Sequence, residues 1–135
     1  MTTNRGDQQV VLIVDDLAPM RQIERRILEK AGYLVMEASD GPAAIALLDD
    51  DRRLDLLVAD LEMPDLLGDE MARRIRAKRP DLKVLFVTGH ADRLFAEQPV
   101  LWEGQAFLEK PFTAGGLLEA VSLLLNGTLQ TPSRA

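Results

Sequence analysis

Five times along this chain a short apolar run is followed by a longer amphipathic segment, and this alternation is what most narrows the folds open to it. Val10 to Val14 is apolar at every position, as a strand covered on both faces must be. Pro19 suits the first turn of a following helix, and Met20, Ile23, Ile27, Leu28 and Ala31 form its expected inward stripe, closed by Gly32. Tyr33 to Glu37 reads as a second strand. Asp40-Gly41-Pro42 then opens a short helix with Ala44, Ile45 and Leu48 facing inward. Asp55 to Ala59 is the third strand, and a helix from Gly68 to Lys78 carries Met71 and Ile75 one turn apart before Pro80. Lys83 to Val87 is the fourth strand and Ala106 to Glu109 the fifth. Leu117, Leu118, Val121, Leu124 and Leu125 make the last helical stripe. Between Gly89 and Gln105 the pattern is least periodic, and Pro99 limits any helix there to about two turns before it. Repeated βα units of this kind predict an α/β fold around a parallel sheet, in one domain over residues 10–125. Residues 1–9 and 126–135 are expected to be flexible ends.

In an open parallel sheet, ligands bind outside the carboxyl ends of the strands. The first strand delivers Asp15 and Asp16 to that edge, the third Asp60, the fourth Thr88 and the fifth Lys110. Three carboxylates gathered there repel one another unless a cation intervenes or one takes up a proton. With no histidine or thiolate among them, the donor set suits a hard divalent ion, Mg²⁺ foremost with Mn²⁺ as a substitute, which binds few carboxylates and leaves room for phosphate. A carboxylate beside such an ion can attack phosphorus to form an acyl phosphate. Lys110 and Thr88 carry the charge and the hydroxyl to orient the transferring group.

Composition removes several other classes. The chain has no cysteine, so disulfides, thiolate-bound zinc and thiol catalysis are excluded. A net charge of −6 opposes a nucleic-acid partner unless a local basic face overrides it. The cluster Arg73, Arg74, Arg76, Lys78 and Arg79 could be such a face, but no aromatic residue interleaves it and Asp69, Glu70 and Asp81 flank it. A solvated helix face is the preferred reading. No secretory leader opens the chain and no run approaches bilayer-crossing length, so a cytoplasmic protein without a membrane partner is expected.

Taken together, Asp15-Asp16, Asp60-Leu61-Glu62-Met63-Pro64 with Gly68, Thr88-Gly89 and Lys110-Pro111-Phe112 resemble the receiver domain of two-component response regulators, including the single-domain chemotaxis type. The likeness runs from about Val10 to Leu125. It implies a flavodoxin-like three-layer sandwich with strand order 2-1-3-4-5, and a Lys110–Pro111 bond that is usually cis. It also implies phosphorylation of Asp60 by a sensor histidine kinase or a histidine phosphotransfer protein, with the metal held by Asp15, Asp16, Asp60 and the backbone carbonyl of Glu62. Such a domain is a signalling module rather than an enzyme, although it assists its own phosphorylation and slow autodephosphorylation. Thr88 and Phe107 occupy the family's switch positions, and Phe107 lacks the hydroxyl that a tyrosine would use, so a switch based on packing is expected. Glu62 and His90 match positions that tune the lifetime of the phosphoryl group. Output runs through the face built from the fourth helix, fifth strand and fifth helix, toward a target protein or a second copy in a homodimer. Pro99 departs from an unbroken fourth helix. With only a short tail after Leu125, no DNA-binding output domain is expected, whether the chain stands alone or was cut from a larger regulator.

Blander readings stand beside these. Asp15 and Asp16 could be helix caps, Asp60 and Thr88 strand-end residues, and Lys110 a surface charge. His90 reads more readily as a surface side chain, Glu62 as a loop residue, Phe107 as core and Trp102 as partly buried. Two other functions compete with the switch. A phosphatase of the haloacid-dehalogenase type also uses an aspartyl phosphate, but needs an aspartate two past the nucleophile, where Glu62 stands, and a nucleophile after its first strand. A silent interaction module would show no acceptor chemistry.

Overall fold

The computed structural model describes residues 8–50, 52–61, 68–89 and 104–127. Among them five strands, β1 (Val10–Val14), β2 (Leu34–Ala38), β3 (Leu56–Asp60), β4 (Lys83–Thr88) and β5 (Gln105–Glu109), pair in parallel in the order β2-β1-β3-β4-β5. Helices α1 (Ala18–Lys30), α2 (Gly41–Leu47), α3 (Gly68–Lys78) and a C-terminal helix (Ala114–Asn126) connect or follow them. The expected three-layer α/β sandwich and its strand order are therefore observed. Glu62, Met63, Pro64, His90, Pro99 and Trp102 lie outside the described residues, as does most of the stretch from Gly89 to Gln105.

Strand residues alternate between the two faces of the sheet, which sorts the apolar side chains into two cores. Leu12, Val14, Leu57, Ala59 and Phe86 pack with Ala44 and Leu48 beside α2 and with Met71 and Ile75 of α3. Val11, Ile13, Val58, Leu85 and Val87 pack with Leu28 of α1 and with Leu117 and Val121 of the C-terminal helix. Residue-by-residue register fixes the functional edge: Val14 lies opposite Ala38 and Ala59, Asp60 opposite Val87, and Thr88 opposite Glu109.

One helical face differs from its sequence reading. Ile23 is 51% exposed and Ala31 is also exposed, while the buried residues of α1 are Glu24 and Leu28. The helix is rotated from the expected stripe so that a carboxyl occupies a core position. Tyr33 likewise falls outside β2, because its N–H donates to the Leu28 carbonyl at 3.1 Å and Gly32, at φ 101°, turns the chain into the strand. The last helix runs through Asn126, and Gly127 at φ 74° closes it.

Local caps account for where helices begin. Asp40 Oδ1 accepts from the Ala43 N–H at 2.7 Å, and Thr113 Oγ1 accepts from the Gly116 N–H at 2.9 Å. Thr113→Ala should therefore cost about 1 kcal/mol, read as a lower urea midpoint with an unchanged denaturant slope. A change in slope instead would mean that the substitution altered more than the cap.

Candidate functional site

Strand geometry carries the polar residues to one edge. Asp15 follows β1 and its N–H donates to the Ala38 carbonyl at 3.3 Å, which continues the ladder with β2. Asp60 and Thr88 are the last residues of β3 and β4, and Lys110 follows β5 with its N–H donating to the Thr88 carbonyl at 2.8 Å. The Lys110–Pro111 peptide is cis, as the resemblance implied. Asp15, Asp60 and Thr88 are buried, whereas Asp16 is exposed.

These residues converge. One carboxylate oxygen from each of Asp15, Asp16 and Asp60 lies within 4.8 Å of the other two. Lys110 Nζ stands 3.7 Å from Asp60 Oδ1 and 4.0 Å from Asp15 Oδ2, ion pairs rather than hydrogen bonds. Asp15 Oδ1 accepts from the Leu17 N–H at 2.9 Å, but Asp15 Oδ2 is buried without a hydrogen-bond partner. Burial pushes the Asp15 carboxyl above the usual range, with Asp16 adding to the shift, while the Leu17 N–H, Lys110 and Arg21 oppose it. Three carboxylates so close, one of them with a buried oxygen that has no hydrogen-bond partner, suit a hard divalent cation better than bare anions, and oxygen-only donors match Mg²⁺. Geometry thus brings together Asp15, Asp16, Asp60 and Lys110 and places Thr88 on the adjoining strand end. Glu62 and His90 lie outside the described residues. Phe107 is 36% exposed on β5.

Two residues around this edge went unnoticed in the sequence. Arg21 Nη1 donates to the Asp15 carbonyl at 2.6 Å and its Nε pairs with Glu37 Oε1 of β2 at 3.1 Å, which fixes the backbone that presents Asp15. Glu24 is 1% exposed, and its Oε2 has no hydrogen-bond partner. The only sequence signal for either is their spacing with Leu28, which places all three on one helical face. Polar residues at such spacing ordinarily read as a solvated face.

The basic cluster is largely exposed and has local acidic and carbonyl partners. Arg73 and Arg74 pair with Glu70 at 2.7 and 3.4 Å, Lys78 pairs with Asp49 at 3.6 Å, and Arg76 donates to the Pro80 carbonyl at 3.1 Å. Arg79 donates to the carbonyls of Arg52, Leu48 and Asp50. Asp60 also lies on the third strand, away from the first-strand position that the competing phosphatase reading requires. Among the described residues no helix is long and apolar enough to cross a membrane.

Residues 11–122 match the response regulator receiver domain. The sensor kinase CckA of Brucella abortus is 32% identical over 91% of the chain, which spans 13% of that protein. The chemotaxis protein CheY of Pseudomonas aeruginosa is 35% identical over 82% of the chain, which here spans 91% of the relative. Several other relatives are much longer, so that the chain spans 24% of two C4-dicarboxylate transport regulators named DctD. Among solved structures, a response regulator receiver protein from Sinorhizobium medicae superposes with a TM-score of 0.80 at 33% identity, covering 89% of this chain and 96% of the other.

Proposed function

Because the chain belongs to the response regulator receiver domain family, we propose that it is a phosphoacceptor switch in which Asp60 takes a phosphoryl group from a phosphohistidine on a sensor kinase or a phosphotransfer protein. The observation that carries this reading is the placement of Asp60 Oδ1 3.7 Å from Lys110 Nζ, with Asp15 and Asp16 oxygens beside it. An Asp60 oxygen forms the new bond to phosphorus as the donor's N–P bond breaks, and the imidazole leaves with the electron pair. Lys110 supplies positive charge beside the developing acyl phosphate, and the Thr88 hydroxyl is available to a phosphoryl oxygen. Asp15, Asp16 and Asp60 are the residues that would hold Mg²⁺, whose chemistry is to neutralise charge on the transferring group.

Readout then follows as a population shift, because phosphate can favour only the state that binds it better. Thr88 is buried and Phe107 on the neighbouring β5 is over a third exposed, and repacking of that ring is the proposed response. The face around β5 and the C-terminal helix is the proposed contact for a downstream protein or a second copy. Intact mass after incubation with acetyl phosphate and Mg²⁺ tests the chemistry. The native chain should gain one phosphoryl group and Asp60→Asn none, and equal labelling of the two would place the acceptor elsewhere.

A further inference from the structure

The chain itself holds Asp15 through its N–H, its carbonyl and its Oδ1. The N–H donates to the Ala38 carbonyl at 3.3 Å, Oδ1 accepts from the Leu17 N–H at 2.9 Å, and the carbonyl accepts from Arg21 Nη1 at 2.6 Å. Oδ2 is left without a hydrogen-bond partner, 4.0 Å from Lys110 Nζ. The first two contacts are those of a strand end and of an aspartate turn. The third comes from a guanidinium six residues further on, and charge-assisted bonds of this kind are the stronger ones.

Arg21 is itself anchored. Its Nε pairs with Glu37 Oε1 at 3.1 Å, and Glu37 lies opposite Ile13 in the β1–β2 register, next to the end of β2. The planar fork therefore spans two fixed points, a carboxylate on β2 and the peptide between Asp15 and Asp16. The two side chains are 18% and 23% exposed, which shields the pair from much of the solvent that weakens surface ion pairs. Asp16 is exposed, so the peptide before it, rather than packing, sets where its carboxylate stands.

We infer that Arg21 is a positioning residue for the cation pocket: through the Asp15 carbonyl it fixes the peptide that carries Asp15 and Asp16, and so sets both carboxylates for a divalent ion. Arg21 itself is not a ligand. Its charge and its geometry act in opposite directions. A guanidinium beside the pocket repels a divalent cation, so removing it would tighten binding if charge were its whole effect. Removing the clamp frees the peptide and weakens binding. The inference rests on the reading that Asp15, Asp16 and Asp60 hold Mg²⁺, and its test separates the two.

Calorimetric titration of the full chain with MgCl₂, at neutral pH and constant ionic strength, compares the native chain with Arg21→Met, Arg21→Lys and Arg25→Met. Arg21→Met should bind Mg²⁺ about tenfold more weakly, as happens when a group that orients metal ligands is lost. Arg21→Lys keeps the charge, but its single nitrogen cannot serve both Glu37 and the Asp15 carbonyl, so it should be weakened too. Arg25→Met is the control, because it breaks the other pair with Glu37 and leaves the contact to the Asp15 carbonyl in place; its Mg²⁺ affinity should match the native chain's. Hydrogen exchange in the metal-free chain supplies a readout without the ion. The Leu17 amide, which donates to Asp15 Oδ1, should quicken in Arg21→Met by a larger factor than the Val58 amide of the central strand, which reports global opening.

Four results would each overturn the role of Arg21 and leave the metal pocket standing: an Arg21→Met protein that binds Mg²⁺ as well as the native chain or better, an Arg21→Lys protein that matches the native chain, an Arg25→Met protein that loses as much as Arg21→Met, or equal exchange factors at Leu17 and Val58. A native chain that takes up no Mg²⁺ would overturn both.

Discussion

Replacing Gly68 by alanine is expected to lower stability by about 2–3 kcal/mol and the melting temperature by roughly 10 °C, while slowing acceptance of phosphate at Asp60. Helix propensity alone predicts the reverse, since alanine is favoured over glycine by about 1 kcal/mol inside a helix, although Gly68 is only the first residue of α3. Contact decides the sign. A Cβ at Gly68 would lie 2.3 Å from the Asp60 carbonyl oxygen and 2.9 Å from the Leu61 Cα, and both are backbone atoms that have no rotamer to escape into. The Gly68 N–H also donates to the Leu61 carbonyl at 2.9 Å, which pins the helix start to the end of β3. Relief therefore requires α3 to move away from the strand end that presents Asp60, so the site shifts along with the fold. Gly115→Ala is the internal control, because its Cβ would meet only Thr113 Oγ1, at an ordinary 3.9 Å. Thermal unfolding of the two variants, paired with labelling by acetyl phosphate, reads both effects. A Gly68→Ala protein as stable as Gly115→Ala would show that the helix start yields without strain.

That close approach marks one boundary of what the sequence discloses. Gly68 is visible there as a spaced glycine, but the reason for it is a distance between two backbones that only the assembled sheet sets. The inner strands are legible because Val10–Val14 and Leu56–Asp60 are buried at every position and almost wholly apolar, and a parallel sheet covered by helices is what such runs can form. The site is legible for the same reason: each polar residue stands at the carboxyl end of an apolar run, and parallel strands bring those ends to one edge. Helix phase is harder. A stripe read from Met20, Ile23, Ile27, Leu28 and Ala31 counts only apolar residues, so it passes over Glu24 in its midst and places Ile23 inward, where the fold exposes it. What rotates the helix is contact absent from its own sequence: Arg21 reaching the Asp15 carbonyl, and both Arg21 and Arg25 reaching Glu37 on β2. The basic residues of α3 show the same limit in the opposite direction. Their count suggests a charged surface, and only the fold reveals that Arg79 spends its donors on three carbonyls of the segment before β3.

In the metal-free protein, Glu24→Gln is expected to be more stable than the native chain by a few kcal/mol near pH 8, with the two converging toward pH 4.5. The direction follows from proton counts. The Glu24 carboxyl titrates at about 8 in the folded chain against an ordinary 4.5, so between those values the folded state holds a proton that the unfolded state has lost. Stability must then fall as pH rises, because the slope follows the protons bound unfolded minus those bound folded. The contribution of Glu24 is fully present below about 4.5, declines through the interval, and is gone once pH passes about 8. Glutamine keeps the shape of the side chain and removes the titration, so the difference between the two proteins isolates this group. Glu37, held below the usual range chiefly by Arg25, acts in the opposite sense and only at lower pH, and both proteins share it. Urea unfolding from pH 5 to 9 in the presence of a chelator supplies the comparison. A gap that stays constant across the whole pH range would mean that Glu24 is already ionised in the fold, and that Lys110 compensates its charge more fully than burial, Asp15 and Asp60 oppose it.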